Sequence, residues 1–231
     1  MDQRFDPERL RPPEYVCEPD PRSTMLVRID RSNGTVGEVE LRDHHDEVAG
    51  FVLHAGVPEE IVVQFETSKN VYLYAWFVYR FYPVAEQHCL ACLELALRER
   101  FKEEIRTRKV NFPGKYPTLY PLLKYAVDQG IVKNEGFEKW RNRRIINSRA
   151  RVEMEKFREM TEKGLTEIAW SEADIEIKPE DLEWDYTAML VKVLPDLRND
   201  YAHGSKDLHN QSLRTVQIVS EIINQLYQAP A

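Results

Sequence analysis

The sequence predicts an all-α protein: a helical bundle with a small N-terminal appendage that contains a β-hairpin. From about residue 67 onward, apolar residues recur at the three- and four-residue spacing of amphipathic helices. The first 66 residues instead contain six of the 13 prolines and two short runs of branched residues. They also hold 15 acidic and 7 basic side chains, whereas the remainder is close to neutral. We therefore predict an acidic, proline-rich appendage over residues 1–66 and a helical domain over residues 67–231.

The elements of the appendage follow from its turn residues and its branched side chains. Residues 24–29 and 35–41 are predicted to pair as the hairpin, because the Asn33-Gly34 pair between them favours a tight turn. Residues 47–55 are predicted to form a short helix with apolar residues on one face. Pro58 is followed by two glutamates and is predicted to open another helix, since proline and acidic residues both suit a first helical turn.

The remaining elements are predicted to be helices separated by glycine, proline and polar segments. The predicted helical segments are residues 68–106, 117–129, 135–163, 181–203 and 207–227. Pro83 is expected to kink or split the first of them and Pro195 to interrupt the fourth, because proline lacks the N–H that a helix interior needs. Three glycines are placed to end helices: Gly130, Gly164 and Gly204. Residues 131–178 are predicted to be an insertion into the helical domain.

Composition excludes several classes of protein. Among the 231 residues no apolar stretch is long enough to cross a membrane, and the N-terminal residues have no apolar signal region. Three cysteines cannot form a closed disulfide framework, so we expect a cytoplasmic protein without a membrane association. The net charge of −7 disfavours general coating of nucleic acid. No phosphate-binding, dinucleotide, zinc-protease or hydrolase motif is present, so we expect neither a cofactor nor a metal.

The most informative stretch is residues 194–204, at the end of a predicted helix. Arg198 supplies a planar cation that grips phosphate oxygens, and His203 supplies a group that exchanges protons near neutral pH. These are the two functions needed to cleave RNA without a metal. On an ideal helix the two side chains lie about 140° apart, so they share a site only through helix distortion, a long reach or a second subunit. The alternative is that these residues simply cap a helix C-terminus.

The stretch Arg-Asn-Asp-Tyr-Ala-His-Gly, between two long helices, resembles the HEPN superfamily signature. That signature is an arginine, a polar residue, and a histidine four to six positions after the arginine. Residues 91–98 and 122–130 also resemble the early helices of such domains, and the resemblance covers about residues 68–227. It implies an α-helical bundle, often a dimer whose motifs meet at the interface. Many members are metal-independent endoribonucleases in toxin–antitoxin, phage-defence or CRISPR systems, and others are non-catalytic binding or scaffold domains.

By this resemblance, Arg198 matches the phosphate-binding arginine, Asn199 the polar position and His203 the catalytic histidine, while Asn199 or Asp200 would orient them. Some related toxins carry a tyrosine two residues after the histidine, but Ser205 stands there in this sequence. The first hypothesis is therefore a homodimeric endoribonuclease that leaves 2′,3′-cyclic phosphate ends and has an antitoxin or another protein partner. The alternative is a non-catalytic HEPN-like domain that binds a protein or a nucleotide.

Weaker signals come from an arginine-rich stretch in the predicted insertion and from single residues elsewhere in the chain. Five arginines fall within eleven residues, and we consider three of them, Arg141, Arg143 and Arg144, together with Tyr201, as possible RNA-binding residues. The alternative, purely structural interpretation is a solvated helix whose arginines pair with the seven acidic residues of the segment 172–185. The pair Cys89 and Cys92 has no second cysteine pair and is predicted to pack in the core rather than bind zinc.

Overall fold

A computed structural model of the chain describes residues 4–29, 34–114, 116–203 and 208–228. In these residues the α-helices are α1 (Leu41–Ala49), α2 (Glu59–Tyr74), α3 (Phe81–Arg100), α4 (Lys102–Arg106), α5 (Leu119–Asp128), α6 (Glu138–Lys163), α7 (Tyr186–Ala202) and α8 (Ser212–Tyr227). The strands are β1 (Val27–Ile29) and β2 (Val36–Glu38), which pair antiparallel. The predicted fold class, an all-α protein with a small hairpin near the N-terminus, is confirmed.

Helix α3 lies at the centre of the bundle, in contact with α2, α5, α7 and α8. Its residues Leu90, Leu93 and Leu97 are fully buried, and their three- and four-residue spacing places them on one stripe of the helix. Cys89 and Cys92 are also buried beside them, as the sequence predicts for core residues. Helix α2 contributes the fully buried Ile61 and Phe65 to the same core. The division between appendage and helical domain at residues 66 and 67 therefore falls inside α2.

The hairpin and two helix ends follow the sequence prediction. Val27 pairs with Glu38 and Ile29 with Val36, and Gly34 in the turn has a φ of 72°. Asn33 lies outside the described residues. Gly130 and Gly164 have φ values of 64° and 62°, and each follows the last residues of a helix. A positive φ suits glycine because it has no β-carbon. Gly204, predicted to end α7, lies outside the described residues.

The predicted helix over residues 47–55 is wrong in position. Helix α1 ends at Ala49, and residues 50–58 are not helical. It starts six residues earlier than predicted, where the Asp43 carboxylate accepts a hydrogen bond from the Glu40 N–H at 2.9 Å. Such a reciprocal cap satisfies a donor that the first helical turn leaves free. Val52, which the prediction assigned to the buried face, is 67% exposed.

The two prolines act differently from prediction. The long segment 68–106 is split, but between Tyr74 and Phe81, and Pro83 lies within the first turn of α3, where its missing N–H has no helical partner to lose. Pro195 does not interrupt α7, which is continuous from Tyr186 to Ala202. Pro195 is buried, so tertiary packing of α7 against α3 and α5 offsets the hydrogen bond that the Val191 carbonyl loses.

The proline-rich N-terminal segment is attached to the helices through Asp20. The Asp20 side chain is fully buried and accepts hydrogen bonds from Arg22 Nε at 2.8 Å and from the Tyr79 N–H at 3.2 Å. Its own N–H donates to the Trp76 carbonyl at 3.0 Å. Burial raises the pKa of Asp20, but these hydrogen bonds outweigh it and hold the pKa below its usual value. The appendage is therefore docked on the turn between α2 and α3.

A buried histidine in α1 predicts a loss of stability in mild acid. His44 is 2% exposed, stacks on Tyr72 at a centroid distance of 4.2 Å, and donates from Nε2 to the Tyr72 carbonyl at 2.9 Å. Burial lowers its pKa below 6.5 despite that hydrogen bond. The unfolded chain therefore binds a proton at His44 before the folded chain does. We expect the free energy of unfolding to fall as the pH drops from about 7.5 to about 5.5, on both sides of the ordinary histidine pKa.

Denaturant unfolding at the two pH values measures this effect. His44→Gln keeps a side-chain donor without a titrating group, so its unfolding free energy should change less between the two pH values than that of the wild type. His45→Gln is the matched control, because the neighbouring His45 side chain is 56% exposed. An equal pH dependence in the wild type and in His44→Gln would contradict the prediction.

Within the described ranges, no helix is both long enough and apolar enough to span a membrane.

Candidate functional site

The candidate site lies at the C-terminal end of α7, and the start of that helix fixes its position. Asp185 is the N-cap, and its carboxylate accepts the Ala188 N–H at 2.9 Å. That hydrogen bond lowers the pKa of Asp185 below its usual value, and smaller contributions come from hydrogen bonds with Thr187 and Asn134. Leu190 and Leu194 are buried against α3 and α5. This packing determines the direction in which each side chain in the last turns of α7 points.

Arg198 lies beside α3 and is held there by a buried carboxylate. Its Nε is 3.3 Å from Glu94 Oε2, and the Arg198 side chain is 35% exposed while that of Glu94 is 5% exposed. Arg98 forms an ion pair with the other oxygen of Glu94 and donates from Nε to the Pro117 carbonyl at 3.1 Å. Glu94 thus lies between two arginines, and the outer part of the Arg198 guanidinium remains accessible to an anion.

His203 lies at the end of α7 and is exposed. Its backbone N–H donates to the Asn199 carbonyl at 3.0 Å, so the helical hydrogen-bond pattern of α7 continues up to His203. Because the helix is regular to this point, the Arg198 and His203 side chains leave it about 140° apart. Arg198 points toward α3, and His203 continues an exposed stripe with Asp196 and Asn199. One copy of the chain therefore does not place the two side chains on the same face of α7.

The two polar residues of the motif are both exposed on α7. The Asn199 Oδ1 atom is 3.5 Å from Arg198 Nη1, at the limit of a hydrogen bond, so it can steady the guanidinium only weakly. Asp200 is exposed, and no ion pair is formed by it within the part of the chain that the structure describes. Of the four predicted site residues, only Arg198 and Asn199 are in contact through their side chains.

Tyr201 is part of the core and not of the surface. The residue is 9% exposed, and its phenol donates to Glu86 Oε2 at 2.5 Å. This placement argues against the predicted contact of Tyr201 with RNA, since the face of its ring is not available to a base. The burial of Tyr201 could not be predicted from the local sequence, because its position relative to α3 depends on how α7 packs.

Beneath the motif, a buried polar network joins three helices. Glu86 of α3 is 4% exposed and accepts hydrogen bonds from Tyr201 of α7 and from the Thr215 hydroxyl of α8. His209 lies between α7 and α8, with Nε2 at 2.9 Å from the Tyr201 oxygen and 3.5 Å from Glu86 Oε2. The Gln211 N–H donates to His209 Nδ1 at 3.2 Å, so Nε2 carries the proton of the neutral ring. The network therefore fixes Tyr201 and His209, which precede and follow His203 in the sequence.

Glu86 and Glu94 were missed by the sequence analysis. Both lie on α3 among apolar residues, and an acidic residue on a buried helix face requires a partner. That rule is a signal available in the sequence, but it does not say which residue is the partner. Tyr201 and Arg198 are more than 100 positions away in the chain.

The arginine-rich helix α6 divides into paired and unpaired arginines. Arg149 forms an ion pair with Glu172 at 2.5 Å and Arg151 with Asp181 at 3.0 Å. These pairs agree with the structural interpretation, in which the arginines of this helix pair with acidic residues of the segment 172–185. The three arginines considered for RNA binding behave differently from these two. Arg141 donates to the Glu135 carbonyl at 2.8 Å, Arg144 lies over the Trp140 ring at 5.9 Å, and Arg143 is exposed and lines a groove between α6 and α8.

Comparison of the chain with protein-family models, curated proteins and solved structures found no match. Among the described residues, no group of three or more histidine, cysteine, aspartate and glutamate side chains is arranged to hold a metal ion.

Proposed function

We propose that the chain is a HEPN-like endoribonuclease whose active site forms at the C-terminal end of α7. The observation that supports this most is the anchoring of Arg198. A partly exposed arginine is held by the buried Glu94, five residues before an exposed histidine at the end of the same helix. Because Glu94 already restricts the Arg198 side chain, less conformational entropy is lost when the remaining donors of Arg198 bind a phosphate.

In the proposed reaction, the chain supplies one group that binds the phosphate and one that accepts a proton. Arg198 binds the non-bridging oxygens of the scissile phosphate and stabilises the charge that develops on them. His203 takes the proton of the ribose 2′-hydroxyl, whose oxygen then attacks phosphorus. The bond from phosphorus to the 5′ oxygen breaks, and that oxygen takes up a proton from water. The products are a 2′,3′-cyclic phosphate and a 5′-hydroxyl end.

The proposed active form is a homodimer. Arg198 and His203 diverge by about 140° around α7, so Arg198 of one copy and His203 of the other would complete one site. The exposed stripe of α7 that carries His203 supports this, because its side chains are free to meet a second copy. An RNA substrate and free cysteines suit action in the cytoplasm. A toxin–antitoxin or phage-defence setting, with a protein partner that restrains cleavage, belongs to the same proposal.

The second candidate function is a non-catalytic domain that binds a protein or a nucleotide. A groove of about 790 Å³ at the other end of α7, away from His203, favours it. A binding domain needs such a concave surface, whereas the endoribonuclease does not require one at that position.

Incubation of the full chain with single-stranded and structured RNA in the presence of EDTA tests the first proposal. We expect cleavage, 3′ ends that carry a cyclic phosphate, and a dimer at the assay concentration. Mapping the ends distinguishes this reaction from that of a contaminating metal-dependent nuclease, which EDTA would inhibit. Intact RNA after incubation with a folded, dimeric protein would favour the binding domain instead.

A further inference from the structure

A half-open groove lies between α6, α8 and the residues that lead into α7. Its volume is about 790 Å³, and Trp184 and Tyr186 line it where α7 begins. Since a helix rises about 1.5 Å per residue, Tyr186 is roughly 25 Å along α7 from His203. None of the residues that line the groove belongs to the candidate active site, and the predicted insertion supplies one of its walls.

Three cations line the groove without a carboxylate partner. Lys139 and Arg143 lie one turn apart on α6, and Arg214 faces them from α8. Within the ranges that the structure describes, no carboxylate lies within ion-pair distance of these three, although Arg149 and Arg151 on the same helix are both paired. Arg143 is the arginine of α6 that lines the groove, and it forms no ion pair there. Lys139 also lies over the Tyr186 ring at 5.6 Å. Cations that converge on a concave surface without a carboxylate partner are suited to an anion such as phosphate.

The groove also has an apolar and aromatic lining. Trp184 is half-buried, and Ile146 and Ile218 line the same groove from α6 and α8. Ile146 is 55% exposed, so it adds accessible apolar surface to the groove. A flat ring system packs well against such a surface, because every base has an apolar face that stacks on aromatic side chains.

Two glutamates complete the lining. Glu138 accepts a hydrogen bond from Gln217 at 3.0 Å, and Glu221 accepts the Glu138 N–H at 2.8 Å. Burial raises the pKa of Glu221 above its usual value. Each carboxylate retains acceptor capacity for a hydroxyl or an amino group. A ligand that fits the groove thus has an anionic end, a flat apolar body and hydrogen-bond donors.

We propose that this groove binds a nucleotide, with its phosphate on Lys139, Arg143 and Arg214 and its base against Trp184. The phosphate, base and ribose hydroxyls of one nucleotide match the three kinds of lining residue. A free mononucleotide and a nucleotide unit of single-stranded RNA share this chemistry. The proposal requires neither Arg198 nor His203, so it holds whether or not the chain cleaves RNA.

Calorimetric titration of the full chain tests the proposal with three probes. The probes are adenosine 5′-monophosphate, inorganic phosphate, and a 2′-O-methyl RNA of about ten nucleotides, a length matched to common single-strand binding sites. The 2′-O-methyl groups prevent cleavage through the 2′-hydroxyl, so binding is measured whatever the activity of the protein. Each titration is repeated with Arg143→Ala and with Arg149→Ala. Arg149 is the matched control, because it lies on the same helix but pairs with Glu172.

We expect Arg143→Ala to weaken binding about tenfold or more and Arg149→Ala to leave it unchanged. Binding of the mononucleotide with this dependence on Arg143 identifies a free nucleotide as a ligand. Binding of the oligonucleotide alone, with the same dependence, identifies RNA. If inorganic phosphate binds as tightly as the mononucleotide, the groove is an anion site and the proposal is wrong. Absence of binding by all three probes, or equal affinities of the two variants and the wild type, also overturns it.

Discussion

We expect His203→Ala to lower the rate of RNA cleavage at least about 100-fold, because the proposed proton acceptor is removed. The folded state should be unaffected, because the His203 side chain is exposed at the end of α7 and, within the described residues, the hydrogen bond at this position is made by its backbone N–H. The measurement is the initial rate of cleavage of a defined RNA in EDTA. His45→Ala is the control, since the His45 side chain is an exposed histidine on α1.

A mixing experiment separates a shared site from a site within one chain. Arg198→Ala and His203→Ala are each expected to be inactive. In a mixed dimer, the Arg198→Ala copy supplies His203 and the other copy supplies Arg198, so one of the two sites is complete. Random pairing would then restore about one quarter of the wild-type rate. If each site instead lies within one chain, the mixture stays as inactive as its parts. Unimpaired cleavage by purified His203→Ala alone would contradict the proposed mechanism altogether.

Helix positions could be predicted from the sequence where the signal is local. The apolar spacing of Leu90, Leu93 and Leu97 marks a buried stripe, and Gly130 and Gly164 mark helix ends, because periodicity and backbone conformation depend on neighbouring residues. The prediction failed at Pro195, where the local rule against proline inside a helix is overridden by packing against α3 and α5.

The candidate site could be predicted only in part. The motif identifies Arg198 and His203 by their chemistry, but their surroundings come from contacts between distant parts of the chain. Glu94 lies 104 positions before Arg198, and no spacing rule connects them. The same reason explains why Tyr201, which adjoins the motif in sequence, lies in the core. The groove at Arg143 also depends on the packing of α6 beside α8, which periodicity does not determine.

Glu86→Ala is the substitution outside the proposed active site for which we expect the largest effect. Glu86 is 4% exposed and is the acceptor for the hydroxyl groups of both Tyr201 and Thr215. Its removal leaves two buried donors without that acceptor and opens a cavity between α3, α7 and α8. Each buried donor that loses its partner costs about 1–3 kcal/mol, so we expect the free energy of unfolding to fall by about 3 kcal/mol. Glu103→Ala is the control, because the Glu103 side chain is 62% exposed.

The coupling between Glu86 and Tyr201 tests whether the network acts as a unit. Tyr201→Phe removes only the phenol oxygen and should cost about 1–2 kcal/mol, since the lost hydrogen bond is made to a charged group. In the double variant Glu86→Ala with Tyr201→Phe, the unpaired phenol no longer exists. The loss in unfolding free energy should therefore be smaller than the two single losses combined. Additive losses would mean that the two residues stabilise the protein independently. Since the network holds Tyr201 and His209 on either side of His203, Glu86→Ala should also slow RNA cleavage under conditions where the variant remains folded.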